Sequence, residues 1–329
     1  MYESFYKLDR SPFTNIPDPD LFYPSPQHKR ALSILEYALL ARAGFCVITG
    51  DVGAGKTTLL RNALQNLSLD IEVGLVSNTQ CDSFEEFLSW ILLAFDLHPH
   101  NKGKVEMYDE FIKFLIHQYD QGRPVTLIID EAQHLGYTYL EQLRMLSNVN
   151  TERGLLLQTI LVGQPELWDL LKRPELEQFA QRISYDYFLE PLESEELTEH
   201  YVKYRLSQVG GSEDLFQADT FRTIWLSTGG VPRLINLLCD TCLVYGFAEE
   251  LETVDLRIVE QVIKDKQKSF SPIGKKPLPK SESDKLAAKE RAEKSVSGSS
   301  QKATTDEPAA AEKKPRLTTI ERAARLKTK

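Results

Sequence analysis

Residues 45–60 read FCVITGDVGAGKTTLL. Phe45 to Thr49 form a short apolar run between Gly44 and Gly50, the form of a parallel strand buried on both faces. The residues that follow, Gly50, Asp51, Val52, Gly53, Ala54, Gly55, Lys56 and Thr57, satisfy the pattern G-x-x-x-x-G-K-[ST], and Thr58 leads on into a helical stretch. Glycines at these places let successive N–H groups face a phosphate, and the helix behind them adds its positive end. Lys56 then meets the β and γ phosphates of ATP. Thr57 offers a hydroxyl to Mg²⁺, a cation that takes few protein ligands and keeps several waters. The alternative is a chance glycine loop, and the strand-to-helix setting weighs against it.

Working outward, Ala31, Ile34, Leu35, Ala38 and Leu39 recur at helical spacing, which predicts one amphipathic helix over 27–42. A second strand is predicted over 71–77. Helices are predicted over 83–95, with Ser83 as N-cap and Glu86 at the capping-box position, and over 106–119. Further strands are predicted over 125–129, 156–162 and 183–189. Five short strands with helices between them imply an α/β fold, a five-stranded parallel sheet covered on both faces. After Ser194 the strand signal ends, and four helical stretches follow near 194–208, 218–227, 232–247 and 255–268. The expected organisation is an extended, packed lead-in over 1–27, where five prolines interleave with aromatics, an α/β domain over 28–192, a helical lid domain over 193–270 and a disordered basic tail over 271–329.

Composition supports that division. All 31 aromatic residues lie at or before Phe270, and the last 59 residues hold none. Those 59 carry 15 Lys+Arg against 8 Asp+Glu, a net of +7, whereas the preceding 270 carry 24 against 40, a net of −16. An acidic body disfavours one evolved mainly to neutralise nucleic-acid phosphates. The apolar runs are too short for a membrane span, and the N-terminus lacks a basic region followed by an apolar one. Four sparse cysteines fit a reducing compartment, so the expected location is the cytoplasm. Cys239 and Cys242 form a C-x-x-C without a second pair, inside an apolar helical run, and are read as core rather than metal or redox sites.

Val125 to Asp130 and Glu131 supply the second half of a phosphate site: an apolar strand ending in two carboxylates. Asp130 is placed to hold the Mg²⁺ shell, and Glu131 to orient and deprotonate the attacking water. Two solvated turn carboxylates are the alternative. Gln164, at the end of the fourth strand, is a candidate to sense the γ-phosphate. Arg182 precedes the fifth strand, where it can project toward a neighbouring subunit's nucleotide, and Arg233 follows Pro232 at the start of a lid helix. For either arginine alone a surface salt bridge is the competing reading. His28 and His134 flank these motifs. His134 is read as structural.

Taken in order, Ser11 to Phe13, Pro17 to Pro19, Tyr23 to His28, the phosphate loop, Asp130 to Gln133, Leu161 to Leu167, Gln181 to Ile183 and Gly230 to Arg233 resemble the ExeA-like AAA+ ATPases of the general secretion pathway protein A type. The resemblance covers about residues 1–268. It implies an AAA+ core with Gln164 as sensor 1, Arg182 as arginine finger and Arg233 as sensor 2, and it places the His28 segment near the adenine, against the plainer reading of a polar residue at a helix N-terminus. It implies ATP hydrolysis by a homo-oligomer with nucleotide between subunits, serving a secretion, pilus or polysaccharide-export apparatus at the inner membrane. A polar tail after residue 270 resembles the shorter cytoplasmic members, such as those found with mannose-sensitive haemagglutinin pilus genes, so membrane association is expected to be peripheral and through a partner. Two alternatives stay open: a DNA-binding ATPase of the transposition-associated type, and a nucleotide-gated scaffold with slow turnover. The basic tail is read as solvated, against the alternative that it reaches anionic lipid, nucleic acid or a partner. Its stretch from Leu317 to Leu326 has the spacing of a short amphipathic helix that would fold against a partner, with Ile320, Ala324 and Leu326 inward.

Overall fold

The computed structural model describes residues 1–66, 70–77, 80–147, 150–151, 154–269 and 271–274. The expected tail beyond Gly274, with its stretch from Leu317 to Leu326, lies outside the described residues.

Strands β1 (Phe45–Gly50), β2 (Glu72–Val76), β3 (Val125–Ile129), β6 (Leu157–Gly163) and β7 (Ile183–Leu189) build one sheet in the order β2-β3-β6-β1-β7. Every pairing in it is parallel, with Val47 beside Leu161 on one side and Asp186 on the other. The two-residue side-chain period of a strand divides the core. Phe45, Val47, Leu127, Ile129, Leu157 and Leu161 face one layer, which holds α4 (Phe84–Ala94), α5 (Lys104–Asp120), α6 (Tyr137–Leu146), α7 (Pro165–Leu171) and the short α8 (Glu177–Ala180). Cys46, Ile48, Ile128, Ile160 and Val162 face the other, which holds α2 (Pro26–Leu40) and α3 (Lys56–Asn66). The strands β1, β3 and β6 are buried on both faces, as continuous apolar runs require. Edge strand β7 alternates between partly buried and exposed residues before Leu189 closes it. A small antiparallel pair, β4 (Asn150–Thr151) with β5 (Gly154–Leu155), lies outside this sheet.

Helices α9 (Glu195–Ser207), α10 (Thr220–Thr228), α11 (Pro232–Ala248) and α12 (Leu256–Gln267) form the helical lid. Ser194 and Asp255 cap α9 and α12 by accepting from Leu197 N–H at 3.3 Å and Ile258 N–H at 3.0 Å. The lid has its own core, to which Cys239 and Cys242 contribute as fully buried free thiols. The N-terminal segment belongs to that core too, through Tyr2, Tyr6, Leu8, Phe13 and Leu21. It is not extended throughout: Tyr2–Phe5 makes one helical turn (α1) ahead of the first proline, and Pro19–Leu21 makes a 3-10 turn capped by Asp18. Ile273 is fully buried in the same core, so packing continues past residue 270. Among the described residues no helix is long and apolar enough to cross a membrane.

Candidate nucleotide site

The chain leaves β1 at Gly50, turns through Asp51 to Gly55 and begins α3 at Lys56. Each glycine answers a different neighbour. A Cβ on Gly50 would stand 2.5 Å from the Leu189 carbonyl oxygen of β7, and one on Gly53 2.5 Å from the Arg233 Cβ. Gly55, at φ +100°, would bring a Cβ to 3.0 Å from His28 Nε2. Ala54 is fully buried, while Val52 stands exposed at the tip of the loop. The Lys56 ammonium donates to the carbonyls of Gly50 at 2.7 Å and Asp51 at 3.0 Å. Burial lowers its pKa, against the opposing pull of Glu131, Asp130 and Asp51.

Thr57 Oγ1 donates to Asp130 Oδ2 at 3.3 Å, so the hydroxyl after the loop lysine and the carboxylate after β3 meet although far apart in sequence. These are hard oxygen donors. Among the described residues no cluster of three or more His, Cys, Asp or Glu side chains could hold a metal. One hydroxyl and one carboxylate, with the rest left to water and phosphate, fit Mg²⁺. Burial raises the Asp130 pKa, and the Glu131 N–H donating to Oδ1 at 2.9 Å opposes it.

Glu131 has left-handed backbone, φ +53°, where the chain turns from β3 into a 3-10 turn, Ala132–His134. Its Oε2 accepts from Gln164 Nε2 at 3.0 Å and from Gln133 Nε2 at 2.6 Å. Gln133 also accepts, through Oε1, the backbone N–H of Gln164 at 3.0 Å. These bonds, that from Gln164 foremost, hold the Glu131 pKa below the usual carboxylate value. They stabilise the ionised carboxylate. The sequence reading passed over Gln133: a glutamine in a turn carries no signal of which two partners it will join. His134 is exposed, as a structural turn residue can be.

Most of the predicted residues converge on a cavity of about 290 Å³; Gly50, Asp51, Ala54 and Asp130 stand behind its lining. Lys56, Thr57, Thr58, Glu131, Gln164 and Arg233 all line it, with Val52, Gly53 and Gly55. Arg233 joins it from the lid by donating its backbone N–H to the Gly53 carbonyl at 3.2 Å. Arg182 does not line the cavity; its Nη1 donates to the Arg144 carbonyl and Ser147 Oγ, each at 3.4 Å. His28 touches the cavity from beneath the loop with both ring nitrogens engaged, Nε2 with the Ala54 carbonyl at 3.1 Å and Nδ1 with Ser25 Oγ at 2.7 Å. It supports the loop, and burial pushes its pKa down to about 4. Tyr23, from the segment expected near the adenine, lines the cavity as well, and further walls that the sequence did not announce come from residues 14–18 and from Tyr201, Arg205 and Asn236 of the lid.

Residues 40–171 match the family described as AAA domain. Over 250 residues the chain is 39% identical to General secretion pathway protein A of Aeromonas hydrophila, a match that covers 75% of this chain and 45% of that protein. The chain thus spans less than half the length of that relative. The fold is similar to the ORC2 protein of Aeropyrum pernix, with a TM-score of 0.60 at 17% identity over 78% of this chain and 72% of that one. It is also similar to Cdc6p of Pyrobaculum aerophilum, with a TM-score of 0.59 at 16% identity over 75% and 71%. The phosphate loop on a five-stranded parallel sheet, the helical lid and these matches bear out the resemblance read from the sequence: the chain is an AAA+ P-loop protein of the general secretion pathway protein A type.

Proposed function

We propose that the chain binds Mg-ATP in this cavity and hydrolyses it, as the motor of a secretion, pilus or polysaccharide-export apparatus at the inner membrane. The observation that carries the reading is the meeting of Lys56, Thr57, Glu131, Gln164 and Arg233 around one cavity from four separate stretches of sequence. The loop glycines and Lys56 hold the phosphates, while Thr57 and Asp130 hold Mg²⁺, which neutralises charge on the phosphate oxygens. Glu131 takes a proton from water as that water's oxygen bonds to the γ-phosphorus and the bond to the leaving diphosphate breaks. Gln164 keeps Glu131 aimed. Arg182 reaches the nucleotide of a neighbouring copy, so the active unit is a homo-oligomer. The general secretion pathway protein A relative supports the cellular role, and the acidic body disfavours the nucleic-acid alternative.

The test is a pair of variants in nucleotide-binding and phosphate-release assays. Lys56→Ala is expected to abolish binding. Glu131→Gln is expected to retain binding while hydrolysis falls by about 10²-fold or more. Unchanged hydrolysis in Glu131→Gln removes that residue from the chemistry.

A further inference from the structure

One wall of the cavity is a strap without a strand or a full helical turn, running from Pro12 to the 3-10 turn at Pro19–Leu21. Arg205 of α9 grips it. The side chain is nearly buried, and Nε donates to the Pro12 carbonyl at 2.6 Å, Nη1 to that of Leu21 at 3.3 Å and Nη2 to that of Thr14 at 3.1 Å. The Tyr201 ring lies 5.8 Å from the guanidinium. Among the described residues no carboxylate forms an ion pair with it. Removing a cation from water without a counter-charge is costly, and here the three carbonyls that accept from the guanidinium offset that cost. What the arginine adds is geometry: a rigid fork aimed at three carbonyls of one segment.

Two further side chains complete the hold. Asn236 Nδ2 donates to the Thr14 carbonyl at 3.3 Å, with its own Oδ1 fixed by the Tyr201 hydroxyl at 2.7 Å. From the opposite side Arg61, on the helix that follows the phosphate loop, donates to the Pro17 carbonyl at 3.1 Å. The strap is thus tied to the lid at Pro12, Thr14 and Leu21 and to the P-loop helix at Pro17. Between the ties, Ile16 lines the cavity while 75% exposed, an apolar side chain without cover at its mouth.

Lys56 and Thr57 fix the phosphate end, so a nucleotide seated there directs its nucleoside toward the strap and the lid. Resting on the nucleotide-site reading, we propose that Arg205 is a positioning residue of this site. It holds the strap against the nucleoside half of a bound nucleoside triphosphate and couples that contact to the placement of α9.

The experiment is calorimetric titration of the full chain with Mg-ATP and with magnesium tripolyphosphate, which has the phosphates and no nucleoside. Arg205→Lys keeps the charge and loses the fork. It is expected to weaken ATP about tenfold while leaving tripolyphosphate unchanged. Asn236→Ala is expected to show a smaller loss of the same selectivity. A merely structural arginine lowers the thermal midpoint and leaves the ratio of the two affinities unmoved; that result in both variants overturns the proposal. If the unsubstituted chain binds both ligands equally, the strap makes no nucleoside contact and the proposal fails while the phosphate site stands. If it binds neither, the nucleotide-site reading fails and takes this one with it.

Discussion

The backbone N–H of Arg233 donates to the carbonyl of Gly53 at 3.2 Å, pinning the turn of the phosphate loop to the first turn of α11. The approach is close because Gly53 has no side chain: at φ +85° a Cβ there would lie 2.5 Å from Arg233 Cβ and 3.3 Å from Val231 Cγ1. Gly53→Ala is therefore expected to destabilise the chain by roughly 2 kcal/mol, from left-handed backbone and the forced separation together. The obstructing atom is a Cβ, which Arg233→Ala retains and Arg233→Gly removes. Urea unfolding of the two double variants should show coupling of about 1 kcal/mol with glycine and clearly less with alanine, which removes only the flexible Arg233 Cδ at 3.2 Å. Equal coupling in both would place the obstruction elsewhere.

The bond from Gln164 to Glu131 predicts a shift in acidity. Because Gln164 is the foremost cause of the depressed Glu131 pKa, Gln164→Ala should raise it. Glu131 acts as a base only when ionised, so the acid limb of the kcat–pH profile should move to higher pH and the plateau should fall. A lower plateau with an unmoved acid limb would show that Gln164 contributes to rate without acting through Glu131.

Much of this site was legible in sequence because its parts are local. The loop glycines, Lys56 and the strand that ends at Asp130 are fixed by neighbours in the chain, and the last strand was read with its true bounds, Ile183–Leu189. Local patterns were less complete where the partner is a matter of geometry. Ser83 does cap α4, accepting from Glu86 N–H at 3.2 Å, but the Glu86 carboxylate takes the N–H of Asp82 in place of that of Ser83. Contacts between distant segments left no trace. Prolines and aromatics before residue 27 announced a packed lead-in, yet nothing in them named Arg205 as its holder or the lid core as its destination. Gln133 was missed for the same reason: its bond to Glu131 is local, but the one it accepts from the Gln164 N–H exists only once β3 and β6 lie side by side.

The separation of Arg182 from the cavity of its own chain gives the arginine finger a sharp test. Arg182→Ala should leave ATP binding by the isolated subunit unchanged and reduce hydrolysis by the assembled protein on the order of 10³-fold. Mixing should then restore activity. An interface between an Arg182→Ala subunit, whose Glu131 is intact, and a Glu131→Gln subunit, whose Arg182 is intact, holds one complete site. Phosphate release that does not recover on mixing the two inactive variants would argue that the arginine acts within its own chain, as would weaker binding by the Arg182→Ala monomer.

His28 makes the support beneath the phosphate loop sensitive to acid. Its folded pKa of about 4 lies below the ordinary 6.5, chiefly through burial, so the native chain excludes a proton that the unfolded chain accepts. The contribution of His28 is complete above pH 6.5 and is lost as pH falls toward 4, because over that window the unfolded state binds the extra proton. The loss amounts to something on the order of 3 kcal/mol. In His28→Gln, where the amide can still donate to the Ala54 carbonyl and has no proton to gain, the decline in unfolding free energy between pH 6.5 and 4.5 should be shallower by a large part of that amount. Urea denaturation of both proteins across the window measures it. Parallel declines would assign the acid sensitivity to other groups and leave His28 a neutral prop for the loop at every pH in the window.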